Sequence, residues 1–353
     1  MTVTDATDKR APEAPELTHL SIDGIAVAVP KDTLVIRAAE EAGIQIPRFC
    51  DHPGLDPVGA CRQCLVEVAT PDREGNVKPM PKPQASCTMT VSEGMVVRTQ
   101  HSSPVADKAQ QGVMELLLIN HPLDCPVCDQ AGECDLQNFA FEHGVSTIRY
   151  EEERRTFDKI DIGPYIQLHM TRCILCYRCV YTANQVTDNR VHGVLGRGDA
   201  AEIGTYIENS LDNDFIGNVI DVCPVGALTD KTFRFKQRVW FTKPVNAHRN
   251  CNHEKCSGNV TLWYKGADVM RVTARKDEYG EVKEWICNEC RFDKKETSDW
   301  TIEGPAQIDR SSVISANHYE LPVINPQVIA DMPESVVRDL EQNPPLKLGG
   351  FNG

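Results

Sequence analysis

Fifteen cysteines fall into four groups along this 353-residue chain. An odd count, with no export signal, speaks against a disulfide framework and for a reducing compartment. The first sixteen residues, MTVTDATDKRAPEAPE, carry no apolar core ahead of a small-residue cleavage site, so a disordered segment and a cytoplasmic chain are expected. That leaves metal ligation as the main use for so many thiols. A fold serving it must wrap loops around metal centres and bring the remaining ligands back from elsewhere in the sequence.

The first group is Cys50-x10-Cys61-x2-Cys64-x22-Cys87, in a glycine-containing loop that follows a helix. It suits a 2Fe-2S centre with a longer first gap than the plant-type spacing, with zinc as the alternative. The second is His121, Cys125, Cys128 and Cys134. A histidine at a helix end ordinarily reads as a packing group that meets the helix dipole. Here one cysteine is wanting, and His121 is the expected fourth ligand of an iron-sulfur cluster. An imidazole in place of a thiolate makes such a cluster less negative and raises its potential. The third group is Cys173-x2-Cys176-x2-Cys179 with the remote Cys223-Pro224, the spacing of one 4Fe-4S cubane. The fourth, Cys251-x4-Cys256 with Cys287-x2-Cys290, uses every remaining cysteine. A further 4Fe-4S cluster is the preferred reading there, but two pairs on β-rich segments also resemble a zinc ribbon. His253 lies between the first pair, either as an alternative ligand or as a solvated side chain.

Patterning around these groups predicts an α+β chain. LTHLSIDGIAVAVP reads as a hairpin turning at Asp23-Gly24. Asp32 and Thr33 are candidate caps for a helix through VIRAAEEA that ends at Gly43. Strands follow at Cys64–Val68 and Met95–Val97. Ser103-Pro104 opens a helix that leads to His121. NVTLWYK and DVMRVTAR alternate as strands near Gly266. The expected divisions are a disordered segment 1–16, a sheet-plus-helix 2Fe-2S domain 17–100, a histidine-ligated segment 101–155 and a 4Fe-4S domain 156–245. A β-rich four-cysteine domain, 246–304, and an extended tail, 305–353, complete the chain.

With 37 basic and 51 acidic residues the formal charge is -14, and no Lys/Arg-dense block is present, so a nucleic-acid partner is not expected. No apolar run approaches the roughly 18 residues of a membrane span. Neither Gly-x-Gly-x-x-Gly after a strand nor a phosphate-binding loop occurs, so nucleotide and flavin sites are expected on a partner.

The segments NHPLDCPVCDQAGECDLQ, RCILCYRC and DVCPVGAL together resemble the large iron-sulfur subunit of NADH:quinone oxidoreductase, respiratory complex I. The resemblance covers about Leu17 to Pro305, as a short form lacking most of the molybdopterin-like domain. It implies a β-grasp ferredoxin domain, a histidine-ligated 4Fe-4S segment and a ferredoxin-like 4Fe-4S domain. It also implies an electron relay from a flavin/NADH-binding subunit toward quinone-side iron-sulfur subunits, on the cytoplasmic face of the inner membrane and without a membrane span of its own. The relay would belong to a proton-translocating NADH dehydrogenase, with no NADH or quinone site in this chain. By the same resemblance Cys50, Cys61, Cys64 and Cys87 hold the 2Fe-2S centre, His121, Cys125, Cys128 and Cys134 one cubane, and Cys173, Cys176, Cys179 and Cys223 another. The fourth group departs from the family's three-plus-one pattern. Electron-transfer subunits of NAD-linked hydrogenases or formate dehydrogenases share these modules, and a zinc-binding scaffold is the reading from a different class.

Overall fold

The computed structural model describes residues 16–158, 160–187, 190, 192–205, 213–277, 279–306 and 332–342. The segment expected to be disordered lies, except for Glu16, outside them. The chain forms two units, one from Met1–Ile46, Val66–Ala106 and Leu321–Gly353, the other from Pro47–Leu65 and Asp107–Glu320.

In the first unit, β1 (Leu17–Ile22) and β2 (Ile25–Pro30) pair antiparallel. Asp23 and Gly24 turn with φ of 48° and 78°, the paired positive values of a type I′ hairpin. The Asp23 carboxylate also accepts from the Thr99 amide at 2.7 Å and from the Thr99 and Ser102 hydroxyls. Helix α1 (Val35–Glu41) buries Val35, Ile36, Ala38 and Ala39. Its expected cap is absent: Leu34 occupies the cap position with no side-chain bond, and Thr33 donates backward to the Pro30 carbonyl at 2.6 Å. The other end follows expectation. Gly43 (φ 73°) donates to the Glu40 carbonyl and Ile44 to that of Ala39, a Schellman closure.

Strands β3 (Leu65–Pro71), β4 (Val77–Pro79), β5 (Gln84–Ala85) and β6 (Met95–Arg98) complete a sheet ordered β2-β1-β6-β3-β4, with β5 on β3. β6 is parallel to β1. Within the stretch expected to be an extended tail, Glu334–Gln342 is instead a helix packed on this sheet. It buries Val336, and Asp339 accepts from Arg98 at 2.8 Å and from Ser21 at 3.2 Å. One buried valine and one partnered aspartate hold it there, and neither stands out among prolines and asparagines in sequence.

Helix α2 (Pro104–Ile119) starts at Ser103, whose Oγ accepts from the Ala106 amide at 3.0 Å. The second unit continues with α3 (Asp135–His143), β7 (Ile166–Leu168) and α4 (Arg178–Gln185). The hairpin of β8 (His192–Leu195) and β9 (Glu202–Thr205) follows, then α5 (Asn218–Val222) and β10 (Leu228–Asp230), which pairs with β7. A second sheet contains β11 (Lys243–His248), β12 (Asn259–Lys265), β13 (Asp268–Ala274) and β14 (Thr301–Pro305), ordered β13-β12-β11-β14. Val260, Leu262, Val272, Ala274, Ile286 and Trp300 form its core. Among the described residues no helix is long and apolar enough to cross a membrane.

Three buried arginine–carboxylate pairs bind this second sheet region to the cysteine-bearing segments. Arg178, between Cys176 and Cys179, donates to both Glu281 oxygens at 2.8 and 2.7 Å and also to the Asp51 carbonyl. Arg271 on β13 is bidentate to Glu133 at 2.7 Å, next to Cys134, with its guanidinium over the Trp263 ring. Arg291, beside Cys290, bonds Asp221 of α5 at 2.6 Å. Bidentate charge-assisted bonds of this kind fix orientation as well as distance.

Glu281 is the common acceptor of Arg178 and, at 3.4 Å, of Arg48, with His52 at 3.8 Å. Burial opposes its charge, but Arg178 and then Arg48 outweigh burial and hold the carboxyl down at about 2. Replacing it by glutamine removes the charge facing two buried guanidinium groups, of which Arg48 keeps Asp51 at 3.5 Å, and a loss of about 3–5 kcal/mol is expected. The carboxylate titrates near 4.3 when unfolded. Its contribution is therefore complete above about pH 4.3 and is lost as pH falls through about 2. Denaturant melts of wild type and Glu281→Gln should converge across that window; a constant gap would show that the charge is not what matters.

Candidate metal centres

Of the first set, Cys50, Cys61 and Cys64 belong to the second unit and Cys87 to the first, and each is buried. Arg62 takes a φ of 62°, which turns the chain so that the Gln63 amide donates to Cys61 Sγ at 3.4 Å. The Cys61 thiol is pushed well up, first by its bond with Cys50, then by burial and by the nearby Cys50 and Cys64. Sulfurs crowded in this way ionise together only around a cation. On the other unit, the Ser86 and Met89 carbonyls flanking Cys87 accept from the first amides of α1, which fixes that turn against the helix.

The second set sits between α2 and α3. His121 closes α2, with its amide donating to the Leu118 carbonyl at 3.2 Å. Cys125 opens a 3-10 turn, Cys125–Val127, and Cys134 precedes α3. Cys125 is exposed, Cys128 buried and Cys134 half-buried. Arg172 is the neighbour shared by His121 and Cys128: it bonds Asp124 at 2.8 Å and acts electrostatically on both. Burial, then Arg172, lowers the His121 pKa to about 4, so the imidazole is neutral and free to donate a lone pair to a metal. Arg238 donates to the Cys128 carbonyl at 2.6 Å and to that of Pro126, bracing the turn.

Gly226 was not foreseen as a site residue. A Cβ built on it would lie 2.1 Å from Cys128 Sγ, so no other residue fits without moving that sulfur. A glycine three residues after a ligand cysteine gives no signal of its own, because its reason is a contact with a loop nearly a hundred positions away.

The third set surrounds a single cavity. Cys173, Cys176, Cys179 and Cys223 line one cavity, with Leu168, Ile174, Ile203, Val225 and Leu228 as apolar walls. Leu175 and Tyr177 both adopt positive φ, 53° and 64°, an expensive conformation for large side chains. It lets three cysteines spaced two apart face one point, and the Leu175 amide reaches Cys173 Sγ at 3.3 Å. Cys223 follows α5 and is opposed by the amides of Val225, Ala227 and Leu228. Burial, reinforced by neighbouring cysteines, raises the Cys173 thiol to about 12 and Cys176 and Cys179 further. Without metal these thiols are neutral; four thiolates in an apolar wall need a bound metal centre to carry their charge, and the donor set fits an iron-sulfur core.

The fourth set is gathered much more tightly. The ligand atoms of Cys251, Cys256, Cys287 and Cys290 all lie within 4.8 Å of one another. His253 is not among them; its Nδ1 is 3.5 Å from Cys251 Sγ, a hydrogen-bonding distance to sulfur.

Three family models match in sequence along the chain. A 2Fe-2S iron-sulfur cluster binding domain covers 16–102, and an NADH-ubiquinone oxidoreductase-G iron-sulfur binding region covers 110–149. The ferredoxin-like domain of NADH-quinone oxidoreductase subunit 3 covers 163–229. The NADH-quinone oxidoreductase-G protein of Streptomyces coelicolor is 49% identical over 300 residues, 83% of this chain and 34% of that protein. The mitochondrial NADH dehydrogenase [ubiquinone] iron-sulfur protein 1 of Solanum tuberosum is 43% identical over 281 residues, 80% of this chain and 36% of that protein. The chain thus spans about a third of the length of these curated relatives. Among solved structures, a chain of the NAD+-reducing [NiFe]-hydrogenase in the H2-reduced state matches with a TM-score of 0.52 and 27% identity, over 63% of this chain and 91% of that one. The α+β fold and its 2Fe-2S and 4Fe-4S binding regions are those of one lineage, and this chain belongs to the NADH-quinone oxidoreductase-G family of iron-sulfur proteins.

Proposed function

We propose that the chain is an iron-sulfur electron-relay subunit of an NADH:quinone oxidoreductase, receiving electrons from a flavin/NADH-binding subunit and delivering them toward quinone-side iron-sulfur subunits. What carries the reading is the cavity lined by Cys173, Cys176, Cys179 and Cys223, in line with two further ligand sets in the order the family models match. The bound clusters would supply one-electron chemistry, and this chain's residues would set its terms. Cys50, Cys61, Cys64 and Cys87 are proposed to hold the 2Fe-2S centre. His121, Cys125, Cys128 and Cys134 hold one 4Fe-4S cluster, and Cys173, Cys176, Cys179 and Cys223 another. Arg178 and Arg172, buried beside two of these sets, favour added negative charge, and the apolar walls around the third set exclude water. The working place proposed is the cytoplasmic face of the inner membrane, in a peripheral arm.

The hydrogenase likeness favours a second reading, an electron-transfer subunit of an NAD-linked hydrogenase. Co-purification separates the two: membrane subunits and quinone reductase activity support the first, and a nickel-iron subunit the second.

Anaerobically purified chain should hold about 10 iron in these three sets and, once reduced, give the signals of one 2Fe-2S and two 4Fe-4S centres; little iron under careful handling would sink the relay. His121→Cys should keep its cluster but lower its potential, because a thiolate adds negative charge. An unchanged potential would remove His121 from the ligand set. Gly226→Ala should displace Cys128 and cost about four iron per chain while the 2Fe-2S signal persists. Full iron content in that variant would show that the sulfur does not need its present position.

A further inference from the structure

We propose that Cys251, Cys256, Cys287 and Cys290 hold a single zinc ion and not a fourth iron-sulfur cluster. The argument is one of spacing. Cys251 Sγ lies 3.6 Å from Cys287 Sγ, and Cys256 Sγ 3.8 Å from Cys290 Sγ. A tetrahedral ion with metal–sulfur bonds of about 2.3 Å separates its ligands by about 3.8 Å. Thiolates on a cubane each bind a different iron, with the whole core between them, and cannot approach so closely. Among the described residues, no other set of three or more His, Cys, Asp or Glu side chains brings its ligand atoms within the same 4.8 Å. The cysteines of the third set, by contrast, line a cavity.

The local architecture is that of two knuckles facing one point. The first is the loop joining β11 to β12. It closes on itself through the Arg249 amide and Gly258 carbonyl at 3.1 Å, where Gly258 (φ +68°) would put a Cβ 2.0 Å from the Arg249 carbonyl oxygen. The second knuckle, Cys287–Cys290, leads into the one-turn π-helix Glu289–Asp293. The two are joined directly: Ser257 donates to the Trp285 carbonyl at 3.0 Å, and the Cys287 amide to Cys256 Sγ at 3.3 Å. Further amides reach the sulfurs within the knuckles, His253 to Cys251 and Cys290 to Cys287, both at 3.5 Å. Four protein ligands, two of them buried in the sheet core, leave no open coordination position, which is the form of a structural site and not a catalytic one. The metal would clamp the ends of the sheet that also supplies Glu281-linked and Arg271-linked contacts to the relay segments.

The zinc assignment stands apart from the relay reading, and one set of measurements separates them. Untagged chain, grown with both metals supplied and purified anaerobically, should contain about one zinc and about 10 iron, and its zinc absorption edge should fit four sulfurs at about 2.3 Å. Cys287→Ser with Cys290→Ser should lose the zinc and keep the iron. About 14 iron with no zinc, a loss of about four iron in the double variant, or a mononuclear iron signal from this site would each overturn the proposal. If the double variant fails to fold, the edge spectrum of the wild-type chain decides alone. Low iron together with one four-sulfur zinc would sink the relay and leave the zinc site standing.

Discussion

A buried carboxylate shared by two arginines governs how this protein is put together. Glu281 comes from the turn after β13, Arg178 from the middle of the third cysteine motif, and Arg48 from just before the first. Ion pairs this deep lose much of their attraction to desolvation, and removing one partner costs more than the pair contributes. Arg271 with Glu133 and Arg291 with Asp221 are single arginine–carboxylate pairs at two more junctions. Segments with little apolar surface of their own are thereby held in register by charge, while the continuous hydrophobic core is left to the sheets.

The same economy explains the backbone strain. In the first and third cysteine motifs the turns between the cysteines use left-handed backbone. Arg62, Leu175 and Tyr177 take positive φ instead of yielding those positions to glycine. Each costs of order 1–3 kcal/mol and persists only where the surroundings over-determine it. Metal binding is the natural compensation, since the amides turned by these residues point at sulfur.

Much of this was legible in the sequence because local chemistry dictated it. Asp23-Gly24 forms its hairpin, Gly43 closes its helix, Ser103-Pro104 opens the next, and the alternating runs near Gly266 pair as strands. The cap expected from Asp32 and Thr33 failed because Thr33 found a nearer carbonyl. The helix at Glu334–Gln342 was missed because its stability is tertiary, drawn from Val336 and Asp339 against a sheet formed some 240 residues earlier. Gly226, Arg178 and Glu281 were likewise invisible: their partners are distant in the chain, and spacing carries no information about them. The four cysteine groups were visible as sets, but only the distances between sulfurs separate a gathering fit for one ion from one fit for several.

Gly226 bears on how the second and third ligand sets are spaced. Cys223 belongs to one set, and three residues later the backbone presses against Cys128 of the other. Their separation is therefore set by covalent bonds and one hard contact instead of by docking of domains. Electron tunnelling falls off steeply with distance. On the proposed assignment, three residues of chain and this contact bound the distance an electron would cross between the two sets.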